Sequence, residues 1–158
     1  MIRVSLVRRL ADSLYFIAIT LWAGGLWTIG FIAAPSLFAS LKDRVLAGEL
    51  AGNLFGLIAW VGMACAVYLL AYLAVVRRAE LLGARPFWLV LAMLALALVG
   101  HFGIQPILIQ LKTEALPSSV MESALKGRFV IWHGIAGGLY VLQSLLGIGL
   151  VLQMGRGR

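Results

Sequence analysis

Two histidines, His101 and His133, are the residues here best suited to chemistry. Imidazole titrates near neutrality and binds copper, zinc and haem iron. Both lie inside long apolar stretches, where a polar group is costly and asks for a reason. Three uses stay open. The rings hydrogen-bond to nearby carbonyls or hydroxyls, or they line a polar pocket or pathway for a small solute or metal ion, or they hold haem b or copper between them. No other cofactor is indicated. Two imidazoles fall short of the three or four ligands zinc usually takes, and no Cys-x-x-Cys, His-x-x-x-His or carboxylate cluster completes a cage. Met63, Cys65 and Met93 are soft ligands, but they fall too deep to join the histidines and are expected to pack as apolar side chains.

The neighbours of the two rings on a helical wheel are also polar or aromatic. His101, Gln105 and Lys112 share one side; His133, Gly137, Tyr140 and Ser144 share another. Trp27, Trp60 and Trp132 fall at the same depth, which suits either an interfacial aromatic belt or the wall of a pocket. The candidate ligand residues are therefore His101, His133, Gln105, Tyr140 and Trp27. Nothing has the form of a Ser-His-Asp triad, a phosphate loop or a nucleotide fingerprint. Ser13 and Ser144 lack a base and an acid, so no catalytic residue and no enzyme is expected.

The elements that position these residues follow from composition. The chain has 158 residues, 63% of them apolar and 12% charged, with a mean hydropathy of +1.03. A soluble domain of this size cannot hide so much apolar side chain. Lipid can, and spanning ~30 Å of hydrocarbon takes roughly 20 residues of helix. Four runs qualify, at residues 13–37, 51–76, 86–111 and 128–153. The expected fold is all-α: one domain, a polytopic bundle of four transmembrane helices. The positive stretch around Arg3, Arg8 and Arg9 resembles the start of a signal peptide, but the apolar run behind it is too long, and Pro35 after Ala33-Ala34 makes a poor cleavage site. It reads as a retained first helix.

Charge sets the orientation. Of the 13 basic residues, Arg3, Arg8, Arg9, Arg77, Arg78, Arg85, Arg156 and Arg158 fall on one side, and Lys42, Arg44, Lys112, Lys126 and Arg128 on the other. The excess places both termini in the cytoplasm of a bacterial-type inner membrane. The basic residues form no stripe, so nucleic acid is not an expected partner despite the net charge of +7.

Local signals add detail. Pro86 suits a first helical turn. Ser119-x-x-Glu122 reads as a capping box that starts the fourth helix near Val120, and Asp12 as a cap on the first. Asp43 and Arg44 read as a solvated or locally paired set. Pro35 and Pro106 should kink their helices, freeing the Phe31 and Phe102 carbonyls for side chains such as Lys112 or His133. Small residues recur at helical spacing: Gly48, Gly52 and Gly56; Gly134 and Gly138; and Thr20, Gly24 and Thr28. Packing inside the bundle is the expected use, and a homo-oligomer or membrane-protein interface is the alternative. Residues 30–37 align with 101–108 at an offset of 71, which suggests duplicated hairpins.

The string Trp22-Ala23-Gly24-Gly25 … Gly30-Phe31 … Ala34-Pro35-Ser36-Leu37-Phe38, with Ala47 to Phe55, His101 and Pro106, and Phe129 and His133, resembles the transmembrane-protein-205-like family, a domain of unknown function numbered 4149. The resemblance implies a four-helix membrane protein with no assigned reaction. The Trp-x-Gly-Gly stretch is also similar to copper-resistance membrane proteins of the D type, which implies copper handling. The functional expectations are a protein that binds or helps move a small solute or metal ion, a haem-binding electron-transfer subunit, or an assembly subunit.

Overall fold

The computed structural model describes residues 2–116 and 118–154, and among them the regular structure is entirely helical. Four helices are long and apolar enough to cross a membrane: α1 (Leu6–Ser40), α2 (Arg44–Arg77), α3 (Arg85–Glu114) and α4 (Lys126–Met154). At 1.5 Å per residue they measure roughly 44–52 Å. Each is longer than its apolar run, because the backbone goes on bonding to itself through the headgroup region.

The ends obey local chemistry, though not always as expected. Pro86 sits in the first turn of α3. Only residues 41–43 separate α1 from α2, and Asp43 is the cap there. Its Oδ1 accepts from the Val45 and Leu46 amides at 2.8 and 3.1 Å, satisfying donors that the first turn would leave orphaned. Asp43→Ala should cost about 1 kcal/mol, lowering Tm by about 2–4 °C in a detergent melt. Two sequence expectations are corrected. Helical backbone runs ahead of α1 from Ile2, so Asp12 lies inside the helix and caps nothing. The Ser119 capping box does not start α4, which begins at Lys126. Turns cover residues 119–125, and the Ser123 hydroxyl accepts from the Leu125 amide at 3.1 Å.

Each helix packs against its neighbours in the chain, and α4 closes the ring against α1. The buried core is a layer of Ile19, Trp22 and Leu26 from α1, Ile58, Ala66 and Leu69 from α2, Val90 and Met93 from α3, and Leu150 from α4. Cys65 belongs to it and Met63 is buried beside it, so the soft side chains pack as expected. Lipid is as apolar as this core, so close fit and hydrogen bonding must hold the helices together. Gln143, buried in α4, donates to the Met93 carbonyl of α3 at 3.3 Å.

The glycines divide differently from the sequence pattern. Gly62 faces the Trp22 indole, Gly25 the end of Ile58, Gly147 the Ala23 backbone and Met93, and Gly56 the Gln105 amide at 3.3 Å. Gly48 meets only the tip of Phe38. A Cβ at Gly24, Gly52, Gly134 or Gly138 would meet nothing within 4 Å. The bundle-packing expectation is therefore corrected for these four: helix rotation turns them away from their neighbours.

Candidate functional site

The candidate residues gather near two irregular turns. The backbone of α1 widens to a π turn at Ile29–Ala33, and that of α3 at Val99–Ile104. In each, an amide bonds five residues back, Ala34 to Ile29 and Gln105 to Gly100. Each turn stops two residues before a proline, Pro35 or Pro106. A proline ring collides with the carbonyl four residues back, and widening the ladder there accommodates it within a continuous helix. The interruptions expected at the prolines thus take the form of π turns. The final π residues, Ala33 and Ile104, are 71 apart, as are the prolines, so the two aligned segments share one backbone device.

Tyr140 of α4 covers the first π turn. Its hydroxyl donates to the Leu26 carbonyl at 2.6 Å and also reaches the Gly30 backbone. Its ring lies where a Gly30 side chain would be. Phe55 of α2 meets the Tyr140 ring edge-on at 4.9 Å. One residue on from Leu26, on the same helix pair, the Trp27 indole donates to the Ser144 carbonyl at 3.2 Å. Two candidate ligand residues, Tyr140 and Trp27, thus direct their polar atoms at helix carbonyls and tie α1 to α4.

His101 lies in the second π turn. Its ring meets Trp60 of α2 at 5.2 Å and Phe102 at 4.8 Å, both edge-on. Its Nδ1 is buried with no hydrogen-bond partner among the described residues. Gln105 is half-buried one turn on, against Gly56. His133 is exposed and stacks on Phe129 at 5.6 Å. No ring contact or hydrogen bond joins the two imidazoles, which sit in separate aromatic groups. Lys112 lies 5.9 Å over the Phe129 ring, so neither it nor His133 takes up the carbonyls freed at the prolines. Among the described residues no three His, Cys, Asp or Glu side chains gather in a way that could hold a metal ion.

The reason His133 stands apart lies in α4. Its buried residues are Gln143, Ser144, Gly147 and Leu150; from 126 to 142 none is buried. Ile131, Gly134, Gly138, Val141, Leu145, Ile148 and Leu152 follow one another at alternating spacings of three and four, all exposed. Beside this face opens an apolar cavity of about 290 Å³, lined by Trp27 and Phe31 of α1 and by Val141, Ser144, Leu145 and Ile148 of α4. Ser144 is 3% exposed, and its Oγ has no partner among the described residues.

Sequence reading missed a second polar place, at the other end of the bundle. The Tyr72 hydroxyl donates to Asp12 at 2.5 Å and the Tyr68 hydroxyl to the Ala11 carbonyl at 2.8 Å, while the Tyr15 and Tyr72 rings stand 4.7 Å apart. The available signal was Tyr68-x-x-x-Tyr72, two phenols on one helix face at the level where Asp12 enters the bilayer.

Residues 17–116 match the profile of a domain of unknown function, DUF4149. No curated protein and no solved structure matches the chain.

Proposed function

We propose, for a chain that belongs to the DUF4149 family, that it is a non-enzymatic assembly subunit of the membrane whose α4 docks a transmembrane helix of another protein. The observation that carries this reading is the run of α4 from 126 to 142, in which no residue is buried and Gly134, Gly137 and Gly138 touch nothing. Lipid contact needs no glycine. Three glycines on one outward face let a second backbone come close, which is how helices associate where no hydrophobic force drives them. The partner would fill the cavity beside Trp27 and Phe31. Lys126 and Arg128, both exposed at the outer end of this face, favour a partner helix ending in acidic residues. A second copy in the same orientation would set those cations against its own.

The same proposal holds the termini in the cytoplasm of an inner membrane, since eight of the thirteen basic residues and only Asp12 and Glu80 of the acidic ones lie on that side. It also holds the kinship with transmembrane-protein-205-like proteins, carried by the Trp22 to Phe38 string. Solute transfer, copper handling or haem binding at a shared imidazole site draws less support, because His101 and His133 occupy separate aromatic groups.

Photo-crosslinking from position 141 in native membranes tests the role. One discrete heterologous adduct is expected, and Gly138→Ile should remove most of it. The protein's own stability should change by no more than about 0.5 kcal/mol, since that face meets only lipid within the monomer. Adducts to lipid alone, to a second copy, or to a protein still captured by the Gly138→Ile variant would overturn the proposal.

A further inference from the structure

At the end of the bundle that carries the termini, α1 and α2 part to form a groove of about 600 Å³, lined by Val7, Arg8, Ala11 and Asp12 from α1 and by Tyr72, Val75 and Val76 from α2. The walls are aliphatic and outward-facing, with Val7 66% and Val75 70% exposed. Arg8 and Asp12 stand one helical turn apart and so share a face. The Asp12 carboxylate accepts a hydrogen bond from the Tyr72 hydroxyl, a neutral donor that cannot balance its charge. An ionised group at the edge of the hydrocarbon needs a counter-charge or water. A groove that offers one cation, one anion and apolar walls, and opens sideways to lipid, is complementary to a zwitterion with acyl tails.

We propose that this groove binds a phospholipid whose headgroup pairs a phosphate with a primary ammonium. The phosphate accepts from the Arg8 guanidinium, the ammonium donates to Asp12, and an acyl chain lies along Val7, Val75 and Val76. Tyr72 holds the carboxylate in place. The committed occupant is phosphatidylethanolamine. Phosphatidylcholine carries the same charges, but its trimethylated nitrogen has no N–H to give Asp12. Phosphatidylglycerol offers Asp12 no cation at all.

Native mass spectrometry of the full chain, released from micelles holding the three lipids with matched acyl chains, tests it. Phosphatidylethanolamine should be retained about ten-fold over phosphatidylcholine, the factor expected of one charge-assisted hydrogen bond. Asp12→Asn, whose amide oxygen is a weaker, uncharged acceptor, should remove most of that preference. Arg8→Gln, at an exposed position that should not disturb folding, should lower retention of all three lipids. Equal retention of ethanolamine and choline lipids by the unaltered chain would overturn the proposal. So would stronger retention of phosphatidylglycerol, or an Asp12→Asn variant that keeps the preference. None of these outcomes bears on docking at α4.

Discussion

Gly62→Ala should be among the most damaging single-methyl additions to this protein. The new Cβ would fall onto the Trp22 indole, with Cε2 only 2.8 Å away. Trp22 is 1% exposed, within the core of Ile19, Leu26, Ile58 and Leu69. A rigid bicycle enclosed on all sides cannot swing aside as the end of an aliphatic chain can. Either the ring leaves its rotamer or α1 and α2 move apart, and overpacking of this kind costs about 1–3 kcal/mol. In detergent the expected Tm loss is about 2–12 °C. Gly25→Ala is the internal comparison. Its methyl also meets a side chain, but that is the flexible end of Ile58, so its loss should be visibly smaller. The double variant Gly62→Ala with Trp22→Phe should recover part of the loss by making room. If both single changes and the pair prove additive, the indole does not rest on Gly62 and the core packing described here is wrong.

The second large effect lies at the first π turn. Gly30→Ala would push on the Tyr140 ring, whose Cζ and Cδ1 come within 3.1 and 3.2 Å of the added methyl. The ring also packs edge-on against Phe55, and its hydroxyl is bound to Leu26. Driving it out loses that hydrogen bond together with the α1–α4 contact. Tyr140→Phe isolates the hydrogen bond alone, which inside a membrane is worth roughly 0.6–1.7 kcal/mol. Gly30→Ala should cost more than Tyr140→Phe, about 2 kcal/mol or above. Once the phenol is displaced, adding Tyr140→Phe to Gly30→Ala should cost little further. Denaturation of the four variants in mixed micelles completes the cycle, and full additivity would show that Tyr140 does not cover the π turn.

Both effects depend on contacts that glycine spacing alone pointed to incorrectly. The regular Gly-x-x-x-Gly pairs drew the eye to Gly134 and Gly138, yet the glycines that receive a neighbour include Gly62 and Gly30, which belong to no such pair. Their partners, Trp22 and Tyr140, lie on other helices, so no spacing within one helix could reveal them. Asp12 failed for a similar reason. An aspartate near the start of a helix looks like a cap until a tyrosine from α2 is seen to hold it. The prolines were more informative. Pro35 and Pro106 marked where each ladder must be interrupted, and only the form of the interruption, a π turn, was left open.

The sequence by itself determined how many times the chain crosses the bilayer, roughly where it turns, and where α1 and α3 depart from regular helix. Length, apolarity and proline are local properties, and a membrane turns them directly into spans and breaks. Tertiary structure alone decided which face of each helix looks inward: why Tyr140 and Trp27 bind backbone rather than a ligand, why His133 leaves His101, and why α4 presents glycines to the outside. In water, hydrophobic periodicity would have given that rotation away. Lipid is as apolar as a protein interior, so both faces of a spanning helix can be built from the same side chains. The choice between them then rests on shape and on a few hydrogen bonds between helices distant in the chain.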